Sequence, residues 1–168
     1  MKHKAVFLDR DGVINVDNGY LFRIEEIEWV EGAKEAVGYL TKNGYEIFVV
    51  TNQSGIARGY YDHEDVHQLH EYMNNEFAKV GGKVTEFYYC PHHPTKGTIP
   101  EYSVECECRK PKPGMLLKAI KQYDIDPNRS FLIGDKETDI EAAAAAGVQG
   151  YLFTEGGNLL TFVKKILE

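Results

Sequence analysis

Five short runs of strand character, Ala5 to Leu8, Glu46 to Val50, Glu86 to Tyr89, Phe131 to Ile133 and Gly150 to Phe153, are each separated from the next by a helical pattern. Strands alternating with helices imply a parallel sheet with right-handed crossovers, because neighbouring parallel strands need a long connection that a helix supplies. The expected class is α/β: a Rossmann-like three-layer sandwich around a central parallel sheet. The first helix is predicted over Ala33 to Asn43, where Ala36, Val37 and Leu40 form an apolar stripe and Gly44 ends it. Asp62 sits where an N-cap belongs, ahead of Val66, Leu69, Met73 and Phe77 at helical spacing and a stop at Gly81 and Gly82. Further helices are predicted over Gly114 to Tyr123, Glu137 to Ala146 and Asn158 to Leu167, with an extended piece at Ile27 to Val30.

At 168 residues and 43% hydrophobic content the chain can bury one core, so a single domain over 1–168 is expected. A net charge of −7 argues against broad binding to nucleic acid or anionic membrane, which would need a basic face. The sequence has no apolar run long enough to span a bilayer and no signal-peptide core, so a soluble, cytoplasmic monomer is expected.

The chemistry-bearing residues cluster at the predicted strand ends. Asp9 and Asp11 follow the first strand and flank Arg10 before a turn at Gly12, at the carboxyl edge where open α/β sheets bind ligands. Two carboxylates there can hold Mg²⁺, which takes oxygen ligands from one or two carboxylates plus substrate phosphate. Asp9 can then attack phosphorus while Asp11 exchanges a proton with the leaving oxygen. An acidic turn after a strand explains the motif equally well by itself. Thr51 and Asn52 stand at the tip of the second strand, just past Val50. Arg109 and Lys110 precede two prolines and a helix, Lys110 as a compact charge for a phosphoryl group and Arg109 as a planar fork for a second anion. Asp135 ends the fourth strand, with Asp139 four residues on, and can complete the metal site. Singly, Thr51 is also a turn hydroxyl, Lys110 a solvated cation and Asp135 a helix cap.

All three cysteines fall between residues 90 and 108, in Cys90-Pro91-His92 and Cys106-Glu107-Cys108. Four sulfur and nitrogen ligands with no open position suit a structural Zn²⁺, with His93 as the competing ligand. The alternative is three ordinary thiols, since a Cys106–Cys108 disulfide is sterically poor. His63, His67 and His70 share one helix face but are expected to be solvated rather than metal-bound.

Taken in order, Asp9 with Asp11, Thr51, Lys110 and Asp135 resemble the four motifs of the haloacid dehalogenase superfamily of phosphatases. FLDRDGVINVDNGY, VVTNQSGIARG, YYCPHHP, CECRKPKPGM and GDKETD are similar, more narrowly, to its heptose-bisphosphate and histidinol-phosphate phosphatases. The resemblance implies phosphomonoester hydrolysis through an aspartyl phosphate on Asp9, with Asp11 as acid and base and Thr51 and Lys110 on the phosphoryl oxygens. It implies Mg²⁺ held by Asp9, Asp135 and the backbone carbonyl of Asp11, and zinc held by Cys90, His92, Cys106 and Cys108. It also implies substrate contacts from Asp17, Asn18, Gly19, Tyr20, Asn52, Gln53, Ser54, Arg109 and Lys136. Many relatives carry an inserted cap, but Gly12 to Gly32 is too short for one and the gap after the third strand holds the cysteine loop. An open site with Arg109 and Lys136 beside Lys110 suits a bisphosphorylated sugar, losing its C7 phosphate on the family's precedent. Histidinol phosphate or another small sugar phosphate is the rival substrate.

Overall fold

The computed structural model describes residues 2–168. Five strands, β1 (Ala5–Leu8), β2 (Glu46–Asn52), β3 (Glu86–Cys90), β4 (Phe131–Gly134) and β5 (Gln149–Leu152), form one sheet in the order β3-β2-β1-β4-β5. Every pairing is parallel, with Val6 opposite both Ile47 and Phe131. The chain runs outward from β1 to β2 and β3, then returns to lay β4 on the other side of β1. That reversal opens a crevice above the carboxyl end of β1.

Alternation along the strands divides the core. Val6 and Leu8 of β1, with Ile47 and Val49 of β2, face α1 (Ala33–Lys42), α2 (His63–Ala78) and α5 (Leu159–Leu167). Ala5 and Phe7, with Phe48 and Val50, face α3 (Gly114–Gln122) and α4 (Glu137–Ala145). Both strand faces are therefore apolar, as a sheet covered on two sides requires. The result is the expected three-layer sandwich.

The helix starts follow from capping. Asp62 accepts from the backbone N–H of Asp65, whose side chain accepts in return from the N–H of Asp62. Asn158 accepts from the N–H of Thr161 and starts α5. Such caps satisfy donors that lack a partner in the first helical turn.

β2 extends beyond the expected Val50 to include Thr51 and Asn52, because β3 pairs with it as far as Asn52 opposite Cys90. The extended piece expected at Ile27 to Val30 follows a 3-10 turn at Ile24–Glu26 and stays outside the sheet, joined by one isolated antiparallel bridge from Trp29 to Asn15. No cap domain is present among the described residues, and the segment between β3 and α3 contains only a 3-10 turn at Pro100–Tyr102.

Candidate active site

β1 carries Asp9 to the floor of a cleft of 480 Å³ at the sheet's carboxyl edge. Asp9 is 7% exposed, and its Oδ1 accepts from the backbone N–H of Arg10 at 2.9 Å and from Lys110 Nζ at 3.0 Å. Lys110 reaches in from the segment before α3 and is buried. Its ammonium also donates to the Val50 carbonyl at 2.9 Å and to Asp139 Oδ1 at 2.5 Å. Asp139 is fixed in turn by the backbone N–H groups of Asp135 and Lys136, each 3.1 Å from its Oδ2. This close approach of α4 requires Gly134, since a Cβ there would strike the Asp139 side chain.

Ligand oxygens of Asp9, Asp135 and Asp139 all lie within 4.8 Å of one another. Three carboxylates thus cluster, two of them paired with the Lys110 ammonium. Burial pushes the Asp9 carboxyl up to about 8, with Lys110 pulling down against it and the neighbouring carboxylates adding to the rise. Burial also disfavours the Lys110 charge, but Asp9 and Asp139 together hold it above its usual value. Asp135 Oδ1 is buried with no hydrogen-bond partner. An excess of clustered carboxylates and an orphaned oxygen fit a hard divalent cation such as Mg²⁺. The Asp135 carboxylate occupies the space that a Cβ on Gly12 would need, and Gly12 has φ +95°, so glycine is required there.

Asp11 points across the cleft floor with 22% of its side chain exposed. Its Oδ1 accepts from Arg10 Nε and Asn15 Nδ2, both at 3.0 Å. Its Oδ2 accepts from Arg10 Nη2 at 3.2 Å and Gln53 Nε2 at 3.1 Å. Gln53 also donates to Thr51 Oγ1 at 2.9 Å and accepts from Tyr61 Oη at 2.5 Å. The Thr51 side chain is buried at the end of β2, on the cleft wall.

Of the expected substrate contacts, Asp17, Gly19, Tyr20, Asn52, Gln53, Ser54, Arg109 and Lys136 line the cleft, and Asn18 does not. Gln53 is 2% exposed and its amide is committed to Asp11, Thr51 and Tyr61, so it holds neighbours in place. Asn52 clamps the Lys110 backbone, donating to its carbonyl at 3.3 Å and accepting from its N–H at 3.0 Å.

Beside the cleft, ligand atoms of Cys90, His92, Cys106 and Cys108 lie within 4.8 Å of one another. Cys90 Sγ is 3.4 Å from Cys106 Sγ and 3.5 Å from His92 Nδ1, and all three cysteines are free thiols. A tetrahedral zinc with Zn–S of about 2.3 Å separates its sulfurs by roughly 3.8 Å, so the cluster can bind zinc after a small expansion. His93 is outside it, accepting at Nδ1 from the backbone N–H groups of Thr95 and Lys96. Arg109 follows Cys108 directly and donates to the His92 carbonyl at 3.4 Å.

A family model described as HAD-hydrolase-like matches residues 107–162. A D-glycero-beta-D-manno-heptose-1,7-bisphosphate 7-phosphatase of Rhodopseudomonas palustris is 45% identical over 166 residues, covering 99% of this chain and 91% of that protein. The chain belongs to the heptose-bisphosphate phosphatase family. Another member of that family, the D-glycero-alpha-D-manno-heptose-1,7-bisphosphate 7-phosphatase of Burkholderia mallei, is 49% identical over 148 residues, 88% of this chain and 78% of that one. The crystal structure of the D,D-heptose 1,7-bisphosphate phosphatase from B. bronchiseptica, complexed with magnesium and phosphate, matches at a TM-score of 0.83. That pair is 32% identical, with 98% of each chain covered.

Several residues of this heptose-bisphosphate phosphatase family member escape a motif scan. Asp139 was visible as an acidic residue after Asp135, yet only the approach of α4 turns it towards Lys110. Arg58 lines the cleft with its guanidinium 5.4 Å from the Tyr20 ring centroid, and its buried Nε has no partner. His70 is not on a solvated face as expected: it is 5% exposed, stacked on Phe87 at 4.4 Å between ring centroids. Burial, then the Arg10 charge, holds its imidazole well below the ordinary histidine value. No spacing rule reveals that a histidine three residues from another faces a buried arginine.

Proposed function

We propose that this chain removes the C7 phosphate of D-glycero-D-manno-heptose 1,7-bisphosphate through an aspartyl phosphate on Asp9. The observation that supports it most is the buried Lys110–Asp9 pair at 3.0 Å on the floor of an uncapped cleft, in a chain whose relatives are named as 7-phosphatases of this bisphosphate. Asp9 attacks phosphorus in line, and the bond from phosphorus to the C7 oxygen breaks. Asp11 gives its proton to the departing oxygen, then takes one from the water that attacks the aspartyl phosphate. Phosphate leaves and Asp9 is restored. Lys110 and the Thr51 hydroxyl hold the phosphoryl oxygens, where charge stabilisation and alignment supply most of the catalysis.

Mg²⁺, when bound by Asp9, Asp135 and the Asp11 carbonyl, neutralises phosphate charge. Cys90, His92, Cys106 and Cys108 would hold a structural zinc, and their loop carries Arg109 to the cleft. Arg109 and Lys136 take the distal, C1 phosphate end. Free thiols gathered as metal ligands suit a reducing cytoplasm, and the protein acts as a monomer. Among the described residues no helix is long and apolar enough to cross a membrane.

The test is a panel of initial rates with Mg²⁺, using both anomers of the bisphosphate, histidinol phosphate and small sugar monophosphates. Phosphorus NMR of the product identifies the phosphate lost. The highest kcat/KM is expected for one bisphosphate anomer, with the C1 phosphate retained. A preference for histidinol phosphate, or loss from C1, would overturn the assignment.

A further inference from the structure

Arg10 lies between the two aspartates, yet it neither lines the cleft nor reaches solvent, being 0% exposed. Burying a guanidinium costs several kcal/mol unless its hydrogen bonds are well satisfied, and apolar side chains of similar volume fill such space at lower cost. The geometry shows where this one is spent. Nε and Nη2 fork onto the two oxygens of Asp11 at 3.0 and 3.2 Å. Nη2 is also within hydrogen-bond reach of the Leu21 carbonyl at 3.0 Å and Gln53 Oε1 at 3.2 Å, and Nη1, on the far side of the fork, meets His70 Nε2 at 3.2 Å. An arginine nitrogen only donates, so the last contact needs the lone pair of a neutral imidazole. Three separate segments therefore hold the guanidinium: the loop after β1 and the loop after β2 at Nη2, and α2 from behind at Nη1.

We propose that Arg10 is a positioning residue, holding the Asp11 carboxyl group in the orientation from which it exchanges protons with the leaving oxygen and with water. This rests on the acid and base role of Asp11 given above. A planar bidentate fork fixes both the position and the plane of a carboxylate, which a lysine cannot do. Placement matters here because proton transfer needs hydrogen-bond reach to the reacting oxygen. Neither Arg10 nor His70 touches the substrate, so KM has no reason to change.

A double-mutant cycle on the Mg²⁺-loaded enzyme, with heptose bisphosphate as substrate, tests this. Arg10→Lys is expected to lower kcat by about 10- to 100-fold with KM within about twofold. In an Asp11→Asn background the same change should cost less than about twofold, because its route is already broken. Should Arg10→Lys fail to fold, His70→Phe keeps the stack on Phe87 and removes one anchor, and is expected to lower kcat several-fold, again only when Asp11 is present. Wild-type kcat in these variants, or equal losses in both backgrounds, would overturn the proposal. Wild-type turnover by Asp11→Asn would instead refute the acid and base reading and leave the packing of Arg10 untouched.

Discussion

At the residue scale, one ammonium and three carboxylates define the site, with a second ring of cations beside them. Lys110 is held against the transferring phosphate's position by Asp9, Asp139 and the Val50 carbonyl, whereas Arg109 lines the cleft with only the His92 carbonyl at 3.4 Å as a partner among the described residues and can meet a second anion. Arg109→Ala is therefore expected to raise KM for the bisphosphate by about tenfold or more while changing small monophosphates little, as loss of one charge-assisted contact would. Equal losses across a substrate panel would contradict this. His70 makes a different prediction, about stability. Its folded-state value is held below that of the unfolded chain, so between the two the unfolded state binds more protons and stability rises with pH. The contribution is complete above about pH 6.5 and is lost as pH falls below it. Urea midpoints at pH 7.5 and 5.5 should show the wild type losing more stability on acidification than His70→Phe does. An identical loss would mean that His70 titrates normally. Asp9, Asp11, Thr51 and Asp135 were legible because each stands at the end of an apolar run, and Lys110 because it precedes two prolines and a helix. Arg10, Arg58 and His70 were not, because their meaning lies in partners far away in sequence, such as Arg10 with Leu21, Gln53 and His70.

At the element scale, two connections do the work of a cap and a clamp. The turn after β1 depends on Gly12, whose missing Cβ leaves room for the Asp135 carboxylate. Gly12→Ala should cost about 1–3 kcal/mol of backbone strain and weaken Mg²⁺ activation by about tenfold through displacement of Asp135. A Mg²⁺ titration of activity reads this directly, and an unchanged half-saturation would refute it. The cysteine loop packs against the loop after β2, where Ala57 accepts from the backbone N–H groups of Thr98 and Ile99 and the Arg58 carbonyl accepts from Thr98 Oγ1. Cys106→Ser should release zinc by elemental analysis, speed hydrogen exchange over residues 90–110 and lower kcat/KM for the bisphosphate. Retained zinc with unchanged exchange would contradict that account. Helix positions were readable from stripes and caps, as Asp62 and Gly44 show. Strand ends were less so: polar Thr51 and Asn52 look like a loop until β3 pairs with them, and Trp29 looks like a strand residue although only one bridge holds it.

At the scale of the whole molecule, the strand order places β1 where the winding reverses, so the nucleophile emerges into a crevice rather than against a neighbouring connection. Alternating strands and helices were enough to expect the parallel sheet and its two covered faces. The order β3-β2-β1-β4-β5 is beyond periodicity, because any arrangement of five parallel strands buries the same apolar faces. A net charge of −7 coexists with a cleft that sets Arg58, Arg109, Lys110 and Lys136 against Asp9, Asp11, Asp17 and Asp139, so recognition of a phosphorylated sugar rests on where those cations stand and not on an overall excess of them. Covalent catalysis at Asp9 leaves a mark that the chain itself makes easy to see. Trypsin cleavage after Lys4 and Arg10 releases Ala5 to Arg10, in which Asp9 is the only carboxylate side chain. Enzyme mixed with Mg²⁺ and heptose bisphosphate, quenched in acid within milliseconds and reduced with borohydride, should carry homoserine at position 9 in that peptide, and only when both metal and substrate are present. Homoserine at position 11 instead, or substantial turnover by Asp9→Asn, would contradict the account.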